Sequence, residues 1–351
     1  MKMKRITKEL YLKALQGRFI GCLIGVPVEN YSIQRMQELA KEGNQDFPIR
    51  NFWKVVDREN DIQYGVSPRY KFSLDKINQV EVDDDITYTI LNTLLLEKYG
   101  FNYTKENLKE LWLDLLPYAC TAEDVALQNL KKGVPVDRIK TNLEMTDLIG
   151  AAIREDVFGY VCPNDPQKAF NLAYTDSSFT HSGDGLLGGQ LVSAIIACAF
   201  HHNNPYHAFL EGMSYLPKDS KLYQELDLAN KNISSIHNYL DARKYVDEHY
   251  QGMDCVHIIN NMVCLLFGLY LGQNSYLDAI SNTISIGLDN DCTGATAGSI
   301  AAICFENVDE FLTKKIGDRV LTYLKGYEVM SINDLADRIY KLYERMQNEK
   351  K

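Results

Sequence analysis

The chain has 351 residues, of which 46% are hydrophobic and 24% are charged, and its formal net charge is −10. This length and apolar content allow a large buried core, organised as one large domain or two smaller ones. The acidic balance and the lack of a basic stripe argue against a nucleic-acid-binding surface, so we predict no nucleic-acid partner.

The spacing of the cysteines and the hydropathy of the chain indicate in which cellular compartment the protein is expected. None of the eight cysteines forms a Cys-x-x-Cys pair, which favours reduced, buried thiols over a zinc ribbon or a disulfide framework. The basic start, residues 1–5, is not followed by an apolar region long enough for a signal peptide. The most apolar stretch, residues 186–200, is shorter than the roughly 20 residues that a membrane span needs. We therefore expect a cytoplasmic protein without a membrane association.

Helical periodicity dominates the chain from end to end. In chain order, the predicted helices cover residues 10–24, 86–98, 105–116, 123–132, 186–200, 239–249, 254–271, 276–285, 293–305 and 332–346. Strand-type alternation is scarce. Residues 44–78 show no clear helical period and are predicted to be an inserted loop. The predicted fold class is all-α.

Two acidic stretches, far apart in the sequence, each precede a predicted helix. The first is the triplet Asp83-Asp84-Asp85, and the second places Asp289 and Asp291 one residue apart. Clustered carboxylates resist ionisation unless a cation or hydrogen-bond donors offset their charge, and hard divalent cations prefer such oxygen ligands. The alternative is that the triplet caps a helix and the second stretch is an ordinary turn. We predict that the two stretches form one metal site.

Glycines recur every four residues in two of the predicted helices. Gly17, Gly21 and Gly25 share one face of the first helix, and Gly294 and Gly298 share a face of the helix at 293–305. Each glycine costs a helix roughly 1 kcal/mol relative to alanine. We therefore predict two central helices with closely approaching backbones, and a neighbour of the second helix that carries the other acidic cluster.

Four segments in the right order resemble the motifs of the ADP-ribosylglycohydrolase family. Residues 17–29 resemble its opening motif, a glycine-spaced helix that runs into a Gly-x-Pro-x-Glu turn. Residues 83–89 resemble its Thr-Asp-Asp metal motif, and residues 287–295 its Gly-x-Asp-Thr-Asp-Thr-x-Gly-Ala motif. Thr180-His181 is similar to its central histidine segment. The resemblance covers about residues 10–310.

This resemblance implies a single domain over residues 1–351, an orthogonal multi-helix bundle of the family type. Residues 311–351 are then a C-terminal helical extension packed on the motif-bearing core. The implied activity is hydrolysis of the glycosidic bond of an ADP-ribosyl group on a modified protein side chain or a small acceptor, with two Mg²⁺ as cofactors and Mn²⁺ as an alternative. A hydrolase of a small ADP-ribose-derived or nucleoside-like metabolite is a second possibility. A catalytically silent ADP-ribose-binding member is a third.

The resemblance also assigns roles to individual positions. The catalytic residues it implies are Glu29, Asp84 and Asp85. His181 is a candidate substrate-binding residue, with a cap or core histidine as its equal alternative, and Asp184, three residues further along, is a second candidate that would face the same cleft. The metal ligands are Asp83, Asp84, Asp85, Asp289, Asp291 and Cys292. Asp83 and Cys292 both stand where the family usually has threonine, and the soft thiol of Cys292 is a poor ligand for magnesium.

Two other features receive a structural interpretation. His201-His202 are expected at the end of a helix, where the dipole favours positive charge, and metal binding there is the less favoured alternative. Arg154 is expected in a surface ion pair, with phosphate binding as its alternative.

Overall fold

The computed structural model describes residues 4–349. Over this range the chain forms sixteen α-helices and two short antiparallel β-ribbons, which confirms the all-α prediction. No helix in the described range is both long and apolar enough to cross a membrane.

In chain order, the helices are α1 Lys8–Gly25, α2 Ile33–Glu42, α3 Asp84–Tyr99, α4 Lys105–Leu115, α5 Thr121–Lys131, α6 Asp156–Val161, α7 Pro166–Thr180, α8 Gly183–Ala199, α9 Pro205–Met213, α10 Lys221–Lys231, α11 Tyr239–His249, α12 Ile258–Leu271, α13 Tyr276–Ile286, α14 Asn290–Phe305, α15 Glu310–Ile316 and α16 Ile332–Asn348. The strands are β1 Ile62–Gln63, β2 Ser67–Pro68, β3 Arg319–Leu321 and β4 Val329–Ser331. β1 pairs with β2, and β3 pairs with β4.

All ten predicted helices are present, with ends that lie within four residues of those predicted. Six further helices, α2, α6, α7, α9, α10 and α15, lie outside the predicted segments. α7 and α9 each begin with a proline that follows a capping residue: the side chains of Asp165 and Asn204 accept hydrogen bonds from Lys168 N and His207 N. Proline suits the first helical position because its missing N–H has no partner there anyway.

The crossing of α1 and α14 lies at the centre of the fold. A Cβ atom on Gly21 would lie 2.0 Å from the carbonyl oxygen of Gly294, and one on Gly17 would lie 2.5 Å from that of Gly298. Contacts this short exclude any side chain, so the two backbones touch directly. The predicted close approach of these helices is confirmed.

The same crossing places the end of α1 against the acidic turn that opens α14. A Cβ atom on Gly25 would lie 2.3 Å from the Cα of Asp291. A neighbour of α14 does carry the other acidic cluster, as predicted, but it is α3 and not α1, which leads into Glu29. The triplet Asp83–Asp85 opens α3, which packs against both α1 and α14.

Residues 44–78 are mostly irregular, as predicted, and contain the β1–β2 hairpin and a short 3₁₀ turn at Arg69–Phe72. Gln63, in this hairpin, donates a 3.1 Å hydrogen bond from its amide to Asp83 Oδ2. The insertion thereby contacts the acidic triplet. At the other end of the chain, α16 packs against α1, α3 and α6.

Candidate active site

A cavity of about 160 Å³ lies beside the first turns of α3, α5 and α14, and Glu29, which follows α1, also lines it. Five of the candidate site residues predicted from the sequence line it: Glu29, Asp84, Asp289, Asp291 and Cys292. The structure therefore brings the first, second and fourth motifs to one place.

Ligand atoms from the separate motifs lie close together. Asp85, Asp291 and Cys292 each offer one ligand atom, and these three atoms lie within 4.8 Å of one another. Glu29, Asp289 and Asp291 form a second such group. Asp291 belongs to both groups and so connects the triplet to the first motif.

The three carboxylates of the triplet differ in their position relative to the cavity: one lines it and the other two do not. Asp83 is the N-cap of α3 and accepts a 3.1 Å hydrogen bond from the backbone N–H of Asp85. It is fully buried, does not line the cavity, and approaches Cys22 and Asp85 within 4.8 Å. Asp84 alone of the triplet lines the cavity. Asp83 combines the capping role of the alternative interpretation with a place behind the candidate metal site.

Arg18 holds Asp85 from within the core. Its Nη2 lies 3.4 Å from Asp85 Oδ1, and its Nε donates a 2.8 Å hydrogen bond to Thr89 Oγ1. A second carboxylate, on Asp156, lies 3.3 Å from the same guanidinium. A buried charge of this kind needs several partners to be tolerated, and these partners fix the orientation of Asp85 toward α14.

Two buried carboxylate oxygens of the cluster, Asp85 Oδ2 and Asp291 Oδ1, have no hydrogen-bond partner among the described residues. Buried polar atoms in native proteins are almost always satisfied by hydrogen bonds, water or ions. Oxygen atoms gathered from several carboxylates are the ligand set that Mg²⁺ and Mn²⁺ prefer. The residues present therefore fit a site for hard divalent cations.

The carboxylates raise one another's pKa values. Asp291 is the main cause that raises the pKa of Glu29 to about 8, with further contributions from burial and from Asp84. Burial raises the pKa of Asp84 to about 6. Burial, followed by the charge of Asp291, raises the pKa of Asp289 well above its usual range. Without a cation, the carboxyl of Glu29 is therefore mostly protonated at neutral pH, and a bound cation would favour its ionised form.

A backbone contact joins the first motif to the last. The N–H of Asn30 donates a 2.9 Å hydrogen bond to the carbonyl of Leu288. Both residues have positive φ angles, 60° and 66°, which are uncommon outside glycine. Glu29 lies immediately before this contact, so its position depends on the turn that also carries Asp289.

The sequence profile of the ADP-ribosylglycohydrolase family matches residues 3–349. The chain belongs to the ADP-ribosylglycohydrolase family. An uncharacterized protein of Archaeoglobus fulgidus is 24% identical over 344 residues, which cover 97% of this chain and 98% of that protein. A solved structure named as an ADP-ribosylglycohydrolase-related protein complex matches with a TM-score of 0.58 at 13% identity, covering 97% of this chain and 98% of its own. At that identity the structural likeness supports the fold alone.

The cavity is also lined by residues that were not among the candidate site residues predicted from the sequence. Tyr64, Tyr88 and Glu123 line it. Tyr64 comes from the inserted hairpin and donates a hydrogen bond from its hydroxyl to Asp84, while its ring stacks on Tyr118. Nothing in the aperiodic sequence of the insertion indicates this contact, since it depends on how the hairpin folds back over α3.

Arg154 occupies a different environment from the one predicted. It is fully buried, not at the surface, and its guanidinium forms ion pairs with Glu123 and Asp176. The guanidinium carbon also lies 5.6 Å from the ring centre of Trp112. Arg154 therefore holds Glu123 in place at the cavity wall.

The two predicted substrate-binding residues do not line the cavity. His181 is fully buried after α7, with Nδ1 2.8 Å from Thr180 Oγ1 and 3.7 Å from Glu123 Oε1, so it lies behind the cavity wall. Asp184 accepts a 2.9 Å hydrogen bond from the backbone N–H of Leu222 at the start of α10. A role for either residue in substrate binding stays a prediction.

Proposed function

We propose that this member of the ADP-ribosylglycohydrolase family is a divalent-cation-dependent hydrolase that cleaves the glycosidic bond between an ADP-ribosyl group and a protein side chain or a small acceptor. The convergence of Glu29, Asp84, Asp289 and Asp291 on one cavity carries the proposal. Family membership supports hydrolysis of a glycosidic bond.

Two Mg²⁺ ions, or Mn²⁺ in their place, are the proposed cofactors. The carboxylates of Asp84, Asp85, Asp289 and Asp291 would hold them, with Asp83 and Cys292 as adjoining candidates. Bound cations would supply Lewis acidity and would fix the hydroxyls of the ribose. Counting Asp83, five carboxylates face the four positive charges of two such ions, so the filled cluster would be nearly neutral.

Glu29 is the proposed general base. Hydrolysis requires a water oxygen to attack the anomeric carbon of the ribose while the bond to the acceptor breaks, and that water must lose a proton. Glu29 lines the cavity and is half-buried beside Asp291, so its carboxylate can take this proton at hydrogen-bond range. The departing acceptor atom gains a proton, which completes the balance of the reaction.

Aromatic and nonpolar walls would hold the remainder of the substrate. Tyr64 and Tyr88 line the same cavity as the carboxylates, and Ile149 and Ile153 line it as well. At about 160 Å³ the cavity is smaller than the roughly 300 Å³ or more typical of drug-sized ligands. We propose that it takes the ribosyl end of the substrate and that the acceptor lies outside it.

The test is a hydrolysis screen over arginine-, serine- and phosphate-linked ADP-ribose, with Mg²⁺, Mn²⁺ or a chelator. We expect release of ADP-ribose from at least one linkage, loss of release in chelator, and loss in Asp84→Asn. Glu38→Gln on the exposed face of α2 is a matched control that should behave as wild type. Turnover only of free ADP-ribose-derived or nucleoside-like metabolites would favour the second candidate function. Binding of ADP-ribose without any turnover would favour a silent member.

A further inference from the structure

A second group of metal-ligand side chains lies where α8 ends and α9 begins. The Sγ of Cys198, an imidazole nitrogen of His201 and a carboxylate oxygen of Glu211 lie within 4.8 Å of one another. Cys198 is in the last turn of α8, His201 follows that helix, and Glu211 is on α9. None of the three lines the acidic cavity.

Two imidazoles meet the same carboxylate oxygen in this group. The Nε2 atom of His201 lies 2.9 Å from Glu211 Oε2, and the Nε2 atom of His202 lies 2.6 Å from it. The thiol of Cys198 also contacts Glu211. Three side chains that commonly bind transition metals thus surround one carboxylate.

The position of Asn164 makes a bound cation favourable. Its Oδ1 lies 3.3 Å from His201 Nδ1. A neutral imidazole carries only one N–H, so a ring that donates from Nδ1 to Asn164 presents the lone pair of Nε2 toward Glu211. Two lone pairs at that distance repel unless a proton or a metal ion lies between them. An outer hydrogen bond to the second ring nitrogen is also the usual arrangement of a metal-binding histidine.

We propose that Cys198, His201, His202 and Glu211 bind one Zn²⁺ ion that ties the end of α8 to α9. Thiolate and imidazole ligands select zinc over magnesium, in contrast to the all-oxygen groups of the cavity. One thiolate, one carboxylate and two neutral imidazoles balance the charge of the ion. Small side-chain rotations must separate the two histidine nitrogens from Glu211 Oε2, because ligand atoms around a tetrahedral zinc lie about 3.3 Å apart.

The exposure of the four proposed ligand side chains determines how an ion can reach them from solvent. The side chains of His201, His202 and Glu211 are 23%, 18% and 35% exposed, whereas Cys198 is fully buried. An ion can therefore enter from solvent and meet the sulfur on the inner side. Burial, followed by the charge of Glu211, raises the pKa of the Cys198 thiol, so zinc must displace its proton.

Lys4 is the nearby positive charge that this site must tolerate. Its ammonium donates to the backbone carbonyls of Ala199 and His202, and to those of Ile303 and Cys304 at the end of α14. These bonds direct its charge at four backbone carbonyl oxygens, three of them in the last turns of α8 and α14, and not at the proposed ligand atoms.

Cobalt titration of the full chain in excess Mg²⁺ tests the proposal, because Mg²⁺ would compete for the all-oxygen groups of the carboxylate cavity under the proposed function and Co²⁺ reports thiolate ligation by its spectrum. We expect one Co²⁺ to bind with a near-ultraviolet thiolate-to-cobalt charge-transfer band and intense tetrahedral d–d bands, and Zn²⁺ to abolish both. Cys198→Ser should lose the charge-transfer band. His201→Gln and Glu211→Gln should weaken zinc binding at least tenfold.

Cys292→Ser is the matched control, since it removes the thiol beside the cavity carboxylates and should keep the band. Absence of the band in the wild type, or its persistence in Cys198→Ser, would overturn the proposal. Should Cys198→Ser fail to fold, the partly exposed His201→Gln decides, because wild-type zinc affinity in that variant would equally overturn it. Zinc should also raise the Tm of the wild type, and at the same zinc concentration it should raise that of His201→Gln by less.

Discussion

Glu29 and Asp291 offer carboxylate oxygens that lie within 4.8 Å of each other, where the end of α1 meets the start of α14. The bare backbone contact of Gly25 with Asp291 produces this proximity. Two carboxylates so close cannot both ionise without a compensating charge, and Asp291 is the main cause that raises the pKa of Glu29 to about 8. The helix crossing that stabilises the fold thus creates a local electrostatic strain that a cation would relieve.

This relationship predicts how stability depends on pH in the cation-free protein. The pKa of Glu29 is about 8 when folded and 4.5 in a model compound, so between these pH values the folded chain binds more protons than the unfolded chain. Its free energy of unfolding must then fall as pH rises across that window. The raised pKa values of Asp289 and Asp83 act in the same direction. Thermal melts in chelator should therefore show a Tm that decreases from pH 5 to pH 8.

Divalent cations should reverse this trend, because they bind the folded state preferentially. With Mg²⁺ or Mn²⁺ present, the gain in Tm over chelator should be largest at pH 8 and should shrink toward pH 5, where protons compete for the carboxylates. Glu29→Gln should flatten the decline in chelator. A Tm that rises with pH in chelator, or that no divalent cation changes at millimolar concentration, would contradict the site assignment.

Glu29→Gln separates proton transfer from binding. If Glu29 accepts a proton from water, the variant should lower kcat by roughly 10²-fold or more and leave the affinity for ADP-ribose within a few fold. Asp84→Asn and Asp291→Asn should instead weaken both cation and ligand binding. Steady-state kinetics and calorimetric titration with ADP-ribose make the comparison. Wild-type turnover in Glu29→Gln would remove this residue from the mechanism.

The sequence was sufficient to predict the helices whose residues follow a regular period. Apolar periodicity predicted ten helices, and the four-residue spacing of Gly17, Gly21 and Gly25 predicted the close crossing with α14. A period is a local property, which explains why it can be read along the chain. α6 spans only six residues, too few to show a period, and it forms where tertiary packing supports it. α10 does place apolar residues at helical spacing, Leu222, Leu226 and Ala229, so the prediction missed a helix that the sequence pattern indicates.

The side chains that surround the candidate site were harder to predict from the sequence. Tyr64 reaches Asp84 only because an aperiodic insertion folds back over α3, and Arg154 is buried only because Glu123 and Asp176 converge on it. Such contacts depend on the three-dimensional placement of segments that are distant in sequence. The acidic motifs indicated the candidate ligands, and the side chains that orient those ligands became visible only in the folded chain.

Gly21→Ala tests the helix crossing. Its Cβ would lie 2.0 Å from the carbonyl oxygen of Gly294, a backbone atom that cannot move aside without displacing α14. We expect destabilisation of about 3 kcal/mol or more, at or beyond the upper end of overpacking costs. Gly43→Ala is the matched control, since its Cβ would meet the flexible end of Gln45 at 3.0 Å. Urea unfolding measures both, and equal stabilities would contradict the described crossing.

Arg154→Met tests the buried ion pairs behind the cavity. The variant leaves Glu123 and Asp176 buried without their cation, which typically costs about 3–5 kcal/mol. Arg338→Met removes the partly exposed ion pair with Glu97 and should cost only about 1 kcal/mol or less. Chemical denaturation compares the two variants. A cost for Arg154→Met as small as that of the control would show that these carboxyls are neutral in the folded protein.

Cys292→Thr tests whether the cavity follows the ligand preference of its family. Cys292 lines the cavity, and its Sγ lies within 4.8 Å of ligand oxygens of Asp85 and Asp291. If the thiol occupies a ligand position, threonine restores a hard oxygen, so activity should saturate at a lower Mg²⁺ concentration and softer ions should lose their relative advantage. If the cysteine only packs under the turn, the change should alter stability by roughly 1 to 2 kcal/mol and leave the metal preference unchanged. Activity measured against Mg²⁺ and Mn²⁺ concentration in both proteins distinguishes these outcomes. Superimposable curves would exclude Cys292 as a ligand and would leave the five aspartates to hold the cations without it.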